Sequence, residues 1–305
     1  MAELGQDGTI RAATRGSALA RWQTDYVAGL LTHQHPDVIV EPVVVQTTGD
    51  TRLDVPIHEI GGKGVFVKEV QAAVLDGRAD IAVHSAKDLP AITPAGLVLA
   101  AIPMRADPRD AMVGCAFADL PDGARVGTGS VRRRAQLANL RPDLEFGELR
   151  GNIATRLQKA ADFDAIVMAA AALDRLGEEP AHVERLDPEV MLPQVGQGAL
   201  AVECRADETE LLATLHAITH VDTDVAVRAE RGFLRELGGD CDLPAGAFAT
   251  IEDGQLRVRA MVADLDGRIV LRETARGAVD DAEPLGAGLA RRLLDERGGR
   301  ALLNR

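Results

Sequence analysis

ADIAVHSAKDLP, residues 79–90, opens as a buried strand and closes as a charged turn. Ile81-Ala82-Val83 is an apolar run of strand length, too short for a helix. His84, Ser85, Lys87 and Asp88 then follow in quick succession, and Pro90 stops regular structure. A buried strand that delivers a Lys and an Asp at its carboxyl end matches the usual address of an α/β active site, the crevice beyond the strand ends. Read alone, the stretch is also an ordinary strand running into an exposed charged turn.

The flanking sequence repeats the α/β pattern. Thr9–Thr14 reads as a strand, and Arg15-Gly16-Ser17 leads into a helix through about Leu31 with Leu19, Trp22, Tyr26 and Leu30 on one face. Ser17 suits its N-cap. Asp37–Gln46 is β-branched, hence a strand. The polar stretch Thr47–Lys63, ending in Gly61-Gly62-Lys63-Gly64, reads as a mobile loop without phosphate-loop spacing. A helix over Val65–Leu75 should end at Gly77, and another strand is expected over Leu97–Ala101.

Pro103–Pro108 reads as a linker into a second α/β domain. There, strand pieces at Asp110–Cys115 and Arg125-Val126 precede Gly127-Thr128-Gly129-Ser130 and a helix over Val131–Leu140. A strand over Leu144–Leu149, a turn at Arg150-Gly151-Asn152, a helix over Ile153–Ala161 and a strand over Asp164–Ala169 follow. This last strand is Asp-led, like Asp80–Ser85. Val190–Gly198 reads as a second crossing, with Leu200–Glu203 returning to the first domain as a strand. Two α/β domains crossed twice predict a hinged ligand-binding cleft. A helix over Asp222–Leu237, strands over Ala245–Ile251, Leu256–Val262 and Arg268–Glu273, and a closing helix over Ala282–Leu294 predict a small α+β third domain. The expected domains are 1–103 with 199–218, 108–193, and 221–305.

The 305-residue chain carries a formal charge of −13 and only 3% aromatic residues. This disfavours nucleic acid and anionic membrane as partners. The N-terminus shows no signal-peptide pattern and no apolar run reaches membrane-spanning length. The three cysteines, Cys115, Cys204 and Cys241, form no CxxC pair, so neither a disulfide framework nor a zinc site is expected, and the chain reads as cytoplasmic. His33 and His35 lack the companions of a metal site, and no metal is expected.

On this acidic background, arginines gather at strand-to-helix turns: Arg15 beside Gly16-Ser17; Arg132, Arg133 and Arg134 after Gly129-Ser130; and Arg150 and Arg156 around Gly151-Asn152. Helix starts carry partial positive charge, which opposes cations there by roughly 0.3–1 kcal/mol each. A bound anion held by N–H groups, hydroxyl and guanidinium together is one compensation. Pairing with nearby acids such as Asp143, Glu145 and Glu148 is the other. The set as a whole points to a ligand with several negative groups, phosphate and polycarboxylate remaining open. Cys115 and Cys204 lie in apolar runs, whereas Cys241 follows Gly238-Gly239-Asp240 in a loop where a thiol can be accessible. Asp240 and Asp242 disfavour its thiolate.

Eight motifs, in order, resemble the porphobilinogen deaminase (hydroxymethylbilane synthase) family: TRGSALARWQ (14–23), GGKGVFVKEV (61–70), DIAVHSAKDLP (80–90), GTGSVRRRAQL (127–137), LRGNIATRL (149–157), DAIVMAAAAL (164–173), LPQVGQGAL (192–200) and AERGFLRELGGDC (229–241). The resemblance implies two domains similar to type II periplasmic binding proteins plus a small C-terminal α+β domain. It implies a transferase that joins four porphobilinogen molecules head to tail, with loss of ammonia, on a covalent dipyrromethane cofactor, and then releases the linear tetrapyrrole by hydrolysis. By motif position the cofactor thioether falls on Cys241, and the catalytic carboxylate on Asp88 with Lys87 beside it. Cofactor binding falls on Arg15, Ser17, Lys87, Asp88, Thr128, Ser130, Arg132, Arg133, Arg150, Gly151 and Arg156. Gln23, Lys63, Phe66, Arg175 and Gln197 fall on substrate-binding or active-site-loop positions. The family is usually monomeric. Ala86 departs from the Met or Leu common there, and Asp240 from the common Gly.

A non-enzymatic polycarboxylate- or oxyanion-binding protein on the same hinged fold is a second reading, in which Cys241 has no purpose. A phosphate-ligand enzyme is a third, disfavoured by the lack of a Gly-rich phosphate fingerprint. Fold alone does not choose among them.

Overall fold

A computed structural model of the chain describes residues 8–47, 67–238 and 243–303. Its compact units are two: Met1–Arg105 with Ala199–Asp224, and Ala106–Gly198 with Val225–Arg305. In chain order the first unit begins with β1 (Thr9–Arg15), α1 (Ala18–Gln34), β2 (Ile39–Val45), α2 (Lys68–Leu75), β3 (Ile81–Ser85) and β4 (Leu97–Ala101). The second builds β5 (Asp110–Val113), β6 (Arg125–Gly127), α3 (Val131–Leu140), β7 (Glu145–Gly147), α4 (Ile153–Gln158), β8 (Ala165–Ala169), α5 (Ala170–Leu176) and β9 (Val183–Arg185). The first unit resumes with β10 (Leu200–Arg205) and α6 (Thr209–His216). Last come α7 (Val221–Leu237), β11 (Ala245–Glu252), β12 (Gln255–Ala263), β13 (Val270–Gly277), α8 (Ala282–Arg291) and α9 (Gly299–Leu303).

The two five-stranded sheets share one plan: β2-β1-β3-β10-β4 in the first unit and β7-β6-β8-β5-β9 in the second. In each, three parallel strands meet an antiparallel fourth, β10 beside β3 and β5 beside β8. Two mixed α/β sheets of one plan agree with the two similar α/β domains that the resemblance implies. The Asp-led strands explain part of the likeness. Arg11 N–H donates to the Asp80 carboxylate (2.7 Å) and Arg125 N–H to the Asp164 carboxylate (2.7 Å), while Asp80 and Asp164 N–H groups donate back to the Arg11 and Arg125 carbonyls. The same reciprocal clamp therefore starts β3 and β8.

The core follows the strand pattern. Ile10, Ala12, Ile81, Val83, Val202 and Cys204 pack with Val27 and Leu31 of α1 on one face of the first sheet. Ala13, Ala82 and Val45 pack with Val70 and Val74 of α2 on the other. The second sheet buries Val126, Val167 and Met112 with Leu137 of α3.

The third sheet, β11-β12-β13, belongs to the second unit and is antiparallel. The turn at Asp253-Gly254 is a two-residue hairpin with both φ positive (53° and 75°), the backbone that Asp-Gly sequences favour. The next connection is longer than expected. Ile269 N–H donates to the Asp264 carboxylate (2.9 Å) and Asp264 N–H to the Ile269 carbonyl (3.1 Å), which closes the loop ahead of the strand, so β13 starts at Val270 and not Arg268. Gly246 shows why this sheet docks where it does: a Cβ there would lie 2.7 Å from the Pro193 carbonyl oxygen and 3.2 Å from Arg132 Cδ.

Candidate active site

β1 and β3 are parallel neighbours, Ala13 opposite Ala82, so their carboxyl ends lie side by side. β1 delivers Arg15-Gly16-Ser17, and Ser17 Oγ caps α1 by accepting from Ala20 N–H (3.2 Å). β3 delivers Ser85 and then a single 3-10 turn, Ala86–Asp88. Lys87 and Asp88 are half-buried there, as is Arg15. Gln23, buried on α1, donates to Ser85 Oγ (2.8 Å), joining one expected position to the end of β3. The opening stretch is therefore a strand end and turn, with both charged side chains partly shielded.

In the second unit β6 and β7 place their ends together, with Thr128 N–H donating to the Gly147 carbonyl (2.9 Å). Ser130 caps α3, accepting from Arg133 N–H (3.4 Å), and Thr128 Oγ1 accepts from Ser130 N–H (3.2 Å). After β7 the chain turns at Gly151, φ 118°, where a Cβ would meet the Thr155 side chain at 2.7 Å. Asn152 caps α4, and Arg156 Nε donates to the Gly151 carbonyl (2.8 Å). Arg150 Nε stands 3.7 Å from Glu148.

The arginines of α3 have a partner remote in sequence. Arg132 and Arg133 are 2% and 6% exposed, and between them lies Asp110, the first residue of β5, 0% exposed. Arg133 donates through Nε to Asp110 Oδ1 (2.9 Å) and through Nη1 to the Val167 carbonyl (3.0 Å), with Nη2 2.8 Å from Asp110. All three of its nitrogens are thus taken up inside the protein. Arg132 Nη1 sits 2.8 Å from Asp110 Oδ2 and donates to the Leu192 carbonyl (2.6 Å). Gln197 completes the cluster, donating to Asp110 Oδ1 (2.9 Å) and the Pro108 carbonyl (2.8 Å). Arg175 Nη2 donates to the neighbouring Gly198 carbonyl (2.7 Å). Of the nearby acids, Asp143 pairs with Arg141 instead (2.6 Å).

Burial alone would raise the Asp110 carboxyl, but the two guanidinium charges and the Gln197 hydrogen bond outweigh it and hold it well below the ordinary range. Burial likewise pushes Arg133 down, opposed by Asp110. Asp110→Ala leaves two buried cations without their anion, so a loss of roughly 3–5 kcal/mol in stability is expected, read as a lower denaturation midpoint at neutral pH. Because the folded carboxyl is depressed, its contribution is present above the unfolded value, about 4, and fades as pH falls below it. The deficit of Asp110→Ala should therefore shrink in acid, and an equal midpoint at neutral pH would contradict the cluster's role.

On Arg132 the Nε–Nη2 edge is buried with no hydrogen-bond partner among the described residues. That edge is the side-on fork that takes a carboxylate, so this donor set fits an acid-bearing cofactor. Glu230 of α7 ties the region together. Buried, it accepts from Gly196 N–H (2.7 Å) and Ala249 N–H (2.9 Å), linking α7 to the VGQG segment and to β11. Asp110 and Glu230 escaped the sequence reading. Asp110 leads an apolar strand as Asp80 and Asp164 do, which was its available signal. Lys63, Phe66, the loop over Thr47–Lys63 beyond its first residue, and Cys241 with Asp240 lie outside the described residues. Among the described residues no group of three or more His, Cys, Asp or Glu could hold a metal ion, and no helix is long and apolar enough to cross a membrane.

Two family models match: "Porphobilinogen deaminase, dipyromethane cofactor binding domain" over residues 10–213 and "Porphobilinogen deaminase, C-terminal domain" over 225–295. A porphobilinogen deaminase of Syntrophotalea carbinolica is 47% identical over 298 residues, covering 96% of this chain and 95% of that one. One from Roseiflexus sp. is 49% identical over 300 residues, covering 97% and 98%. Among solved structures, a nutrient binding protein from Burkholderia cenocepacia bound to methionine aligns over 68% of this chain and 89% of that one, with 15% identity and a TM-score of 0.41.

Proposed function

The chain belongs to the porphobilinogen deaminase family, and on that premise we propose which of its residues carry the reaction. The activity is that of a hydroxymethylbilane synthase, a transferase of tetrapyrrole biosynthesis that deaminates and polymerises porphobilinogen and uses a dipyrromethane cofactor. When bound, the dipyrromethane supplies the primer to which the first substrate is joined.

Asp88 is the catalytic carboxylate. Loss of ammonia leaves positive charge on the substrate pyrrole, and a fixed carboxylate stabilises that charge where it develops. The same oxygens can hold the proton that the departing amine requires. Lys87, adjacent in the 3-10 turn, assists and binds acid side chains. The observation that supports this most is the half-buried Lys87–Asp88 turn beside Arg15 and the capped start of α1.

Each pyrrole carries an acetate and a propionate. Arg15 and Ser17 are assigned to these groups in the first unit; Thr128, Ser130, Arg132, Arg150, Gly151 and Arg156 take the same role in the second. Arg133 and Gln197 act by fixing Asp110 and thereby Arg132, and Gln23 acts by fixing Ser85. Arg175 steadies the Gly198 turn, Lys63 and Phe66 contribute from their loop, and Cys241 forms the thioether. The domains are taken as 1–103 with 199–218, 108–193 and 221–305. The enzyme is taken as a cytoplasmic monomer without nucleic-acid partners, a reading supported by its charge of −13 and its unpaired cysteine spacing.

Mass spectrometry during turnover tests the assignment. Protein mixed with limiting porphobilinogen should show discrete heavier species, each one pyrrole unit above the last. Arg156→Ala should shift that ladder toward its short members, because a charged hydrogen bond to substrate is worth roughly 1.5–3 kcal/mol. An unchanged ladder in the variant would remove Arg156 from the site.

A further inference from the structure

Beneath the Lys87–Asp88 turn lies a buried polar cluster that the reaction as described leaves unused. His84 of β3 is 6% exposed and Glu203 of β10 is 0% exposed, and His84 Nε2 lies 3.2 Å from Glu203 Oε2, an ion-pair approach without hydrogen-bond alignment. Gln71, buried in the first turn of α2, donates to the same oxygen (2.8 Å). Glu203 Oε1 has no hydrogen-bond partner among the described residues. A buried carboxylate so sparsely satisfied is a poor device for stability, since well-packed apolar side chains would serve as well or better.

The geometry gives the cluster a different use. His84 stands opposite Ala201 and Glu203 opposite Ala82, so both side chains project from the same sheet face, the one covered by α2. β10 shifts register against β4 between Val202 and Glu203. Irregularities of this kind re-aim side chains and gather near active sites. Ser85, the next residue, is gripped from the opposite face by Gln23 of α1 (2.8 Å), and Ala86 N–H donates to the Ala199 carbonyl (3.0 Å). The last residues before the catalytic turn are thus held from both faces of the sheet and from the neighbouring strand.

We propose that His84, seated against the Glu203 carboxylate that Gln71 fixes, is a positioning residue that sets the end of β3 and so the placement of Lys87 and Asp88 for the deamination step. The proposal rests on that turn carrying the chemistry. It requires a polar cluster because hydrogen-bonding groups select one arrangement of the strand end, whereas apolar packing tolerates several. Misplacement of a reacting group by about 1 Å can cost 10²-fold in rate.

The test compares cofactor-loaded His84→Leu and His84→Gln with the parent, after the covalent cofactor is verified by intact mass. Leu fills space without a polar group, whereas Gln keeps a polar side chain facing Glu203. His84→Leu is expected to lower kcat about tenfold or more with KM within about twofold, and His84→Gln to recover most of the loss. A His84→Leu enzyme that melts earlier yet turns over at the parental kcat would overturn the proposal. If His84→Leu does not fold, the all-apolar Gln71→Leu/His84→Leu/Glu203→Leu variant removes the buried polar groups together and is read by the same criterion. Asp88→Asn, measured alongside, separates the two levels. Its normal turnover would sink the reading of the turn itself, whereas an impaired Asp88→Asn beside a fully active His84→Leu would sink only the positioning role.

Discussion

Asp88→Ala is expected to cut turnover by about 10²–10⁴-fold while porphobilinogen still binds, the range that removal of a positioned acid–base group gives. The expectation follows from where the carboxylate sits. The 3-10 turn at Ala86–Asp88 leaves Asp88 half-buried, so its charge acts in a medium that screens less than bulk water. Ala86, the residue before Lys87 in the same turn, is buried. The substrate's own acid groups are assigned to arginines and helix starts, not to Asp88, so binding should survive its loss. The split between kcat and KM is therefore the decisive readout. Trp22, the chain's only tryptophan, lies next to Gln23 and stacks on Tyr26 with ring centroids 5.2 Å apart, and its fluorescence offers a binding signal independent of turnover. Near-normal turnover in Asp88→Ala would remove the catalytic assignment. Loss of binding together with turnover would move Asp88 from the chemistry to recognition.

Cys241→Ala is expected to lose activity entirely, and with it a specific mass. The parent protein, made in cells that produce porphobilinogen, should carry an excess equal to two linked pyrrole units. The variant should show the bare polypeptide mass. Controls come from the other two thiols. Cys204 is fully buried in β10, and burial, with Glu208 nearby, pushes its thiol up to about 11, so it is a core residue with little thiolate at neutral pH. Cys115 is half-buried beside β5 and bonds weakly to the Ala116 carbonyl (3.4 Å). Cys115→Ala and Cys204→Ala should therefore keep the extra mass. An unmodified parent, or extra mass that persists in Cys241→Ala, would show that the tether lies elsewhere. The same experiment extends to Asp240, which precedes Cys241 in sequence. Asp240→Gly should load cofactor at least as fast as the parent.

Much of the architecture was legible because its causes are local. Short apolar runs marked β3, β8 and β10, and the helix over Val131–Leu140 has the expected bounds after its Ser130 cap. Asp253-Gly254 forced its own hairpin through two positive φ values. Less legible were elements whose ends are set by partners elsewhere. The strand expected over Leu144–Leu149 shrinks to Glu145–Gly147 because only that span pairs with β6. The helix expected over Ile153–Ala161 gives way to a 3-10 turn after Gln158. α5 and β9 carried no pattern strong enough to be assigned.

The same division runs through the site. Sequence by itself determined the family, the α/β class, and the placing of Ser17, Ser130 and Asn152 as caps with arginines around them, since a cap and its helix are only a few residues apart. It also showed that the arginines of α3 oppose their own helix dipole and so need an anion. Only the tertiary structure decided which anion the fold supplies: Asp110, 22 and 23 residues upstream of the two guanidinium groups, buried between them by the pairing of β5 with β8. His84, Glu203 and Gln71 came together in the same way, across β3, β10 and α2. A charge in sequence declares that it needs a partner. Which partner it finds depends on sheet order and register, and those are settled by burial summed over the whole unit, so no local stretch could have named it.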